Sequence, residues 1–325
     1  MDRILGLGNA LTDVSVALKD DDILLKMGLP KGGMTHIDET TFSRINQVLG
    51  TLDTTITPGG SVGNACRAMA HLGLSTGFIG KVGRDAFGER YAQSLTSVGV
   101  ENKLIISQTL PSGVCTSFIS SDGERTFADH MAASLDLKAE DLKFEMLNGY
   151  EYMFIEGYLV QNHALIEQGA QMAKEAGMKV IMDLASYNII LSDLEFCRYL
   201  VEQYVDILFA NDEEARALTG KKPEEALKEL AEMVEMVVVK VGAEGSWVQK
   251  GSYKVHADAV KVEQVVDTTG AGDHFAAGFL YGLLRDASLK RCAEIGALVA
   301  AQEIQVVGTQ LSDEQWLDIK LRIED

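Results

Sequence analysis

The chain has 325 residues, 46% of them hydrophobic, and a formal net charge of −19. That size allows one large α/β domain, or a large domain with a small appendage. The acidic balance argues against a general affinity for nucleic acid or acidic membranes, which need basic surface, although a local basic pocket for a phosphate stays compatible with it.

In "MDRILGLGNALTD" the apolar stretch is short and lacks a small-residue cleavage site, so it is not expected to be a signal peptide. Within it "RILGLGN" (3–9) predicts a buried first strand. Residues 12–40 break the rhythm that follows and are expected to add strands to a small separate sheet. "SVGNACRAMAHLG" (61–73) predicts a helix, with Ser61 as N-cap and Val62, Ala65, Met69 and Leu72 on one face. "STGFIGKVG" reads as a strand and turn. "FGERYAQSLTSVG" reads as a helix with Phe87, Tyr91, Leu95 and Val98 inward, stopped by Gly99. Residues 103–130 alternate like half-exposed antiparallel strands, with turns at "PSG" and "SDGE". With 12–40 they predict a β lid threaded from two excursions of a single domain over 1–325.

Strands are then predicted at "EYMFIEGYL" (151–159), "MKVIMDLA" (178–185), "VDILFAN" (205–211) and "MVVVKVG" (236–242). Helices are predicted at "HALIEQGAQMAKEAG" (163–177) and from "DEEARALTG". Continuous apolar strands between helices predict a largely parallel, doubly wound α/β sheet covered on both faces. Cys66, Cys115, Cys197 and Cys292 lie far apart without zinc spacing, and are expected to be reduced core thiols in the cytoplasm. No apolar run reaches ~18 residues, so no membrane span is expected.

Five stretches can carry chemistry. In "VVDTTGAGDHFAAGFLYGLL" a strand is expected at Val265 and Val266, a turn over 267–272 and a helix from about 270. A helix start offers unpaired N–H groups and a partial positive charge, and Gly270, Ala271 and Gly272 let an anion approach closely. Asp273 beside that anion can accept a proton from an attacking hydroxyl; the alternative is a carboxylate that merely complements the helix dipole. In "TPGGSVGN", Gly59 and Gly60 offer bare backbone and Asn64 a fixed amide, or else the segment is an ordinary turn and cap. In "GNALTD", Asn9 and Asp13 follow the first strand, where ligands of open α/β sheets bind, though an Asx turn explains them as well. In "NDEEA", Asn211 and Glu214 could order water around Mg²⁺, or form a solvated acidic helix start. In "VKVGAEGSW", Gly242 and Gly245 line a nucleotide or close a hairpin. Neither a P-loop nor a Gly-x-Ser-x-Gly elbow is present.

The order of "GGSVGN", "NDEE", "VKVGAEGS" and "DTTGAGDHFAAGF" resembles the PfkB, or ribokinase-like, family of carbohydrate and nucleoside kinases, over essentially the whole chain. The resemblance implies a doubly wound domain with a small β lid, and ATP-dependent transfer of the γ-phosphoryl group to a hydroxymethyl of a sugar or nucleoside. It implies Asp273 as base and Gly270, Ala271 and Gly272 as anion hole. It implies Asn211, Glu214, Lys240, Gly242, Gly245 and Thr268 around ATP, with Glu214 also tied to Mg²⁺. Asn9, Asp13, Gly59, Gly60, Asn64 and Glu156 match acceptor-binding positions. Asp267 and Thr269 match positions that some members use around a monovalent cation such as K⁺.

Ser61 stands where ribokinase-type members usually carry lysine, and the N-terminal run is more similar to adenosine kinases. A nucleoside such as adenosine is therefore the expected acceptor, and a ribose- or fructose-type sugar the alternative. Tyr187 offers a face for a base, or packs. Arg125, on the expected lid, is the one candidate clamp for a phosphorylated sugar. A catalytically silent ligand sensor on the same fold is the reading from another class. An exposed lid edge could pair two copies.

Overall fold

The structure, a computed structural model, describes residues 3–324. Nine strands form one sheet in the order Tyr253–Ala257, Ser246–Lys250, Met236–Lys240, Ile207–Asn211, Lys179–Asp183, Tyr152–Glu156, Arg3–Leu7, Ser75–Ile79 and Glu101–Asn102. The last seven run parallel, and the first two fold back antiparallel on one edge. Alternate residues of each central strand enter different cores. Leu5, Met153, Ile155 and Val180 meet the helix His163–Glu175, while Ile4, Phe154 and Ile181 meet Ser61–His71 and Ala271–Leu283. Burial on both faces is why these strands read as unbroken apolar runs.

Strand order reverses beside Arg3–Leu7. From there the chain moves outward to Ser75–Ile79 and Glu101–Asn102, then returns to Tyr152–Glu156 on the other side. The crevice above that reversal, beyond the carboxyl ends of the strands, is where an open α/β sheet leaves room for ligands.

A second sheet has the order Met34–His36, Arg125–His130, Gly113–Ile119, Leu11–Ala17 and Thr54–Pro58. Val14, Val16, Val114, Phe118 and Ala128 on one of its faces pack against Phe42, Ile45 and Leu49 of the helix Glu39–Leu49. The first excursion thus runs past the expected 12–40, because this helix and the edge strand Thr54–Pro58 complete the sheet.

Three local expectations need correction. No strand forms at Val265 and Val266; both side chains are exposed, and the Val266 N–H donates to the Ile304 carbonyl at 2.8 Å. Ser61 is the first residue of its helix and Gly60 the cap, so the Ser61 hydroxyl is free for another partner. The strand expected at 151–159 ends at Glu156 and passes into the 3₁₀ turn Gly157–Gln161. The four cysteines are free, three of them buried. Among the described residues no helix is long and apolar enough to cross a membrane.

Candidate active site

Parallel pairing brings the carboxyl ends of successive strands to one edge, and four of them end on polar residues. Lys240, Asn211, Asp183 and Glu156 close neighbouring strands, and Asn9 follows the next one. The helix Ala271–Leu283 starts over this edge with Asp273 in its first turn.

Asp273 is held from two sides. Ser61 Oγ donates to its Oδ1 at 2.6 Å and Asn64 Nδ2 to its Oδ2 at 3.0 Å. Asn64 Oδ1 in turn accepts from Arg67 Nη2 at 2.5 Å and from Thr309 Oγ1 at 3.3 Å. Arg67 is fixed by the carbonyls of Pro58 and Gly59. Burial pushes the Asp273 carboxyl up to about 6, with Asp183 adding to the rise and the Ser61 and Asn64 bonds and Lys240 opposing it. The group is therefore ionised at neutral pH but close enough to neutrality to take a proton.

Lys240 is the cation of this edge. Its Nζ donates to Asp183 Oδ2 at 2.8 Å and lies so near Gly272 that a Cβ there would crowd it. Burial works against its charge, but Asp183 and Glu214 outweigh that and hold its pKa above the usual lysine value. Asn211 and Glu214 form a reciprocal cap: Asn211 N–H and Nδ2 donate to Glu214 at 2.8 Å each, and Asn211 Oδ1 accepts from Glu214 N–H. Burial, helped by Asp183, pushes Glu214 up to about 7.

The residues expected on the acceptor side also converge. Asn9 Nδ2 donates to Glu156 Oε1 at 2.8 Å, and the N–H groups of Asn9 and Val62 donate to Oε2. Glu156 is 1% exposed, and burial pushes it up to about 7. Gly60 has φ +78°, and a side chain there would strike the Asn9 carbonyl, so the turn that delivers Ser61 and Asn64 needs glycine. Asp13 lies on the small sheet with its carboxylate against Gly59, and burial pushes it up to about 7.

Arg125 and Asp267 meet, but not as expected. Arg125 Nη1 donates to Asp267 Oδ1 at 3.0 Å, so the one candidate clamp on the small sheet is already paired. Burial alone would raise Asp267, yet donation from the N–H groups of Gly308 and Thr269 and from Arg125 holds it below the usual carboxylate range. Both Asp267 oxygens accept these bonds, and Thr269 is exposed. Thr268 is exposed beside Asp267, and Gly242 is exposed in the 3₁₀ turn Gly242–Glu244. Gly245, at φ +94°, packs under the Ala257 carbonyl and closes the hairpin, which accounts for that glycine structurally.

Sequence reasoning missed three residues here. Asp183 ends an unremarkable apolar strand, and only sheet order reveals it beside Lys240. Tyr158 lies two residues after Glu156 in the 3₁₀ turn, and burial first, then the charges of Glu156, Asp273, Glu214 and Asp183, raise its phenol. Glu303 is fully buried with neither carboxylate oxygen hydrogen-bonded, beneath the Gly270 turn. Burial, with Asp273 and Asp267 adding, pushes it up to about 9, so it holds a proton.

The chain matches the model of the pfkB family carbohydrate kinases over residues 35–316. Its fold superposes on the adenosine kinase from Sinorhizobium meliloti with a TM-score of 0.85, at 30% identity and with 99% of each chain covered. A probable sugar kinase from Rhizobium etli gives 0.86 at 28% identity, again over 99% of each chain. An ATP-dependent ribose-1-phosphate kinase from Halopiger xanaduensis is 31% identical over 75% of this chain and 81% of its own length. With the family model spanning most of its length, this chain belongs to the pfkB family of carbohydrate kinases, phosphotransferases that act on hydroxyl groups of sugars or nucleosides.

Proposed function

We propose that this protein is an ATP-dependent kinase that transfers the γ-phosphoryl group to a hydroxymethyl of a nucleoside, adenosine first among candidates. The observation that carries the reading is Asp273: one carboxylate, tethered by Ser61 and Asn64, at a helix start with Lys240 alongside. The acceptor hydroxyl attacks the γ-phosphorus, its proton passes to Asp273, and the bond to the β-phosphate oxygen breaks to leave ADP. Charge develops on the transferred oxygens near the first-turn N–H groups of Gly272 and Asp273, where the helix start and Lys240 oppose it. The small sheet serves as the lid that excludes water.

Magnesium fits this edge in one way. Glu214 and Asp183 are its nearby carboxylates, but Asn211 and Lys240 already occupy them, and no group of three or more ligating side chains among the described residues could hold a metal alone. They would hold it through water, and Mg²⁺, which keeps several waters, would neutralise phosphate charge there. Adenosine is favoured by the fit to an adenosine kinase over the full chain and by half-exposed Tyr158 and Tyr187, which offer ring faces to a base. The sugar-kinase reading keeps support from the equally good fit to a probable sugar kinase. Four free thiols suit the cytoplasm.

The test is ADP release from ATP and Mg²⁺ with a panel of nucleosides and free sugars. Fastest turnover is expected with adenosine. Preference for ribose or fructose moves the reading to a sugar kinase, and no ADP with any acceptor leaves the silent sensor.

A further inference from the structure

The small sheet has two unlike faces. One is the apolar face on the helix Glu39–Leu49. On the other, register aligns three side chains across neighbouring strands: Asp13 is opposite Cys115, and Cys115 is opposite Asp129. Residues opposite one another in a sheet point the same way, so a second carboxylate lies in the same row as Asp13.

Asp129 is 8% exposed, and its Oδ1 has no hydrogen-bond partner. Asn9 Oδ1, at the start of the crevice, is buried and unpartnered as well. Buried acceptors without donors are costly, and a ligand that brings donors removes the cost. Among the described residues, the cations of this edge already have protein partners, and Lys240, beside Gly272, is set toward the transferred phosphoryl group rather than the acceptor. Arg125 pairs with Asp267, Lys240 with Asp183, and Arg67 Nη2 with Asn64 and two carbonyls. Arg67 Nη1 is unbonded but turned toward Gly63 and Tyr91, inside the protein.

We propose that Asp129 is a second acceptor-binding carboxylate, and that with Asp13 it selects an acceptor rich in hydroxyl or amino donors and bearing no phosphate. The inference rests on the kinase reading and narrows it: a sugar phosphate would bring its negative charge toward Asp13, Asp129, Glu156 and Asp273, where Arg125 and Arg67, among the described residues, are already paired. Uncharged ribose or a nucleoside would instead supply the missing donors. Here this chain parts from its ribose-1-phosphate kinase relative.

The experiment compares adenosine, ribose and ribose 1-phosphate as acceptors for wild type and Asp129→Asn, by steady-state kinetics and by calorimetric binding without ATP. Wild type should prefer a neutral acceptor over ribose 1-phosphate by about 100-fold in kcat/KM. Asp129→Asn should raise KM and Kd for the neutral acceptor about 10-fold, leave KM for ATP unchanged and narrow the discrimination. Equal use of ribose 1-phosphate by wild type overturns the proposal without any variant being needed. An unchanged acceptor Kd in folded Asp129→Asn overturns it too, as does binding of none of the three acceptors to wild type. Nucleoside binding that depends on Asp129 but gives no ADP would sink the kinase reading and leave this inference standing.

Discussion

The two walls of the crevice are built differently. On the main-sheet side the charged groups at the strand ends and helix starts are tied: Asp273 to Ser61 and Asn64, Lys240 to Asp183, Glu214 to Asn211, Glu156 to Asn9. On the small-sheet side Asp129 has an idle oxygen and Asp13 leans on bare backbone. A wall that must stabilise a transition state gains from groups fixed beforehand. A wall that must recognise a ligand gains from groups whose partner is the ligand itself. On the proposed reading, positioning falls to the large sheet and recognition is shared with the small one.

The strongest way to break the comparison is Asp273→Asn. The amide keeps the shape but cannot take a proton, so kcat should fall by about 10²–10⁴-fold while nucleotide Kd changes little. In the wild type, Asp273 must be ionised to act, so kcat/KM should rise with pH through a limb near 6. Near-normal kcat in the variant would remove Asp273 from the chemistry.

Asp13→Ala sharpens the other side. Losing a charged acceptor of hydroxyl bonds should raise the acceptor KM about 10-fold, with a smaller fall in kcat and no change in KM for ATP. An unchanged acceptor KM would make the small sheet a mere cover.

Glu303→Gln tests whether the fixed wall depends on a proton stored beneath it, and is read in stability rather than in turnover. The folded carboxyl keeps its proton to about pH 9, whereas the unfolded one loses it near its ordinary value. Wild-type stability from this group therefore declines as pH rises between those limits, by up to about 1.4 kcal/mol per pH unit. Glutamine has no proton to lose, so the Tm of the variant relative to wild type should climb from pH 5 to pH 8.5. A difference independent of pH would show that Glu303 is not held neutral.

Much of the main wall was legible in the sequence, because apolar runs and glycine turns are local signals. Gly60 with Asn64 and Gly272 with Asp273 lie at two helix starts, and Asn64 bonds Asp273 across them. What was not legible depends on partners far along the chain. Val265 and Val266 look like a strand, yet the backbone partner of Val266 is Ile304 at the end of a helix, and no strand pairs with either residue. Ser61 looks like a cap, but its hydroxyl reaches Asp273, 212 residues away. Asp183 and Lys240 acquire meaning only when strand order brings them together. Asp129 was silent because one more acid among half-exposed strands is ordinary until register puts it in line with Asp13.

The row across the small sheet has a further consequence, for the thiol at its centre. Cys115 is pushed far above the usual thiol range by burial first, then by Asp129 and Asp13 on either side. Peroxides and alkylating agents attack the thiolate, and these neighbours withhold it. A sulfur placed among acceptor-facing groups would ordinarily be a point of oxidative damage. On the proposed reading, the carboxylates that face the acceptor also hold that sulfur as the less reactive thiol.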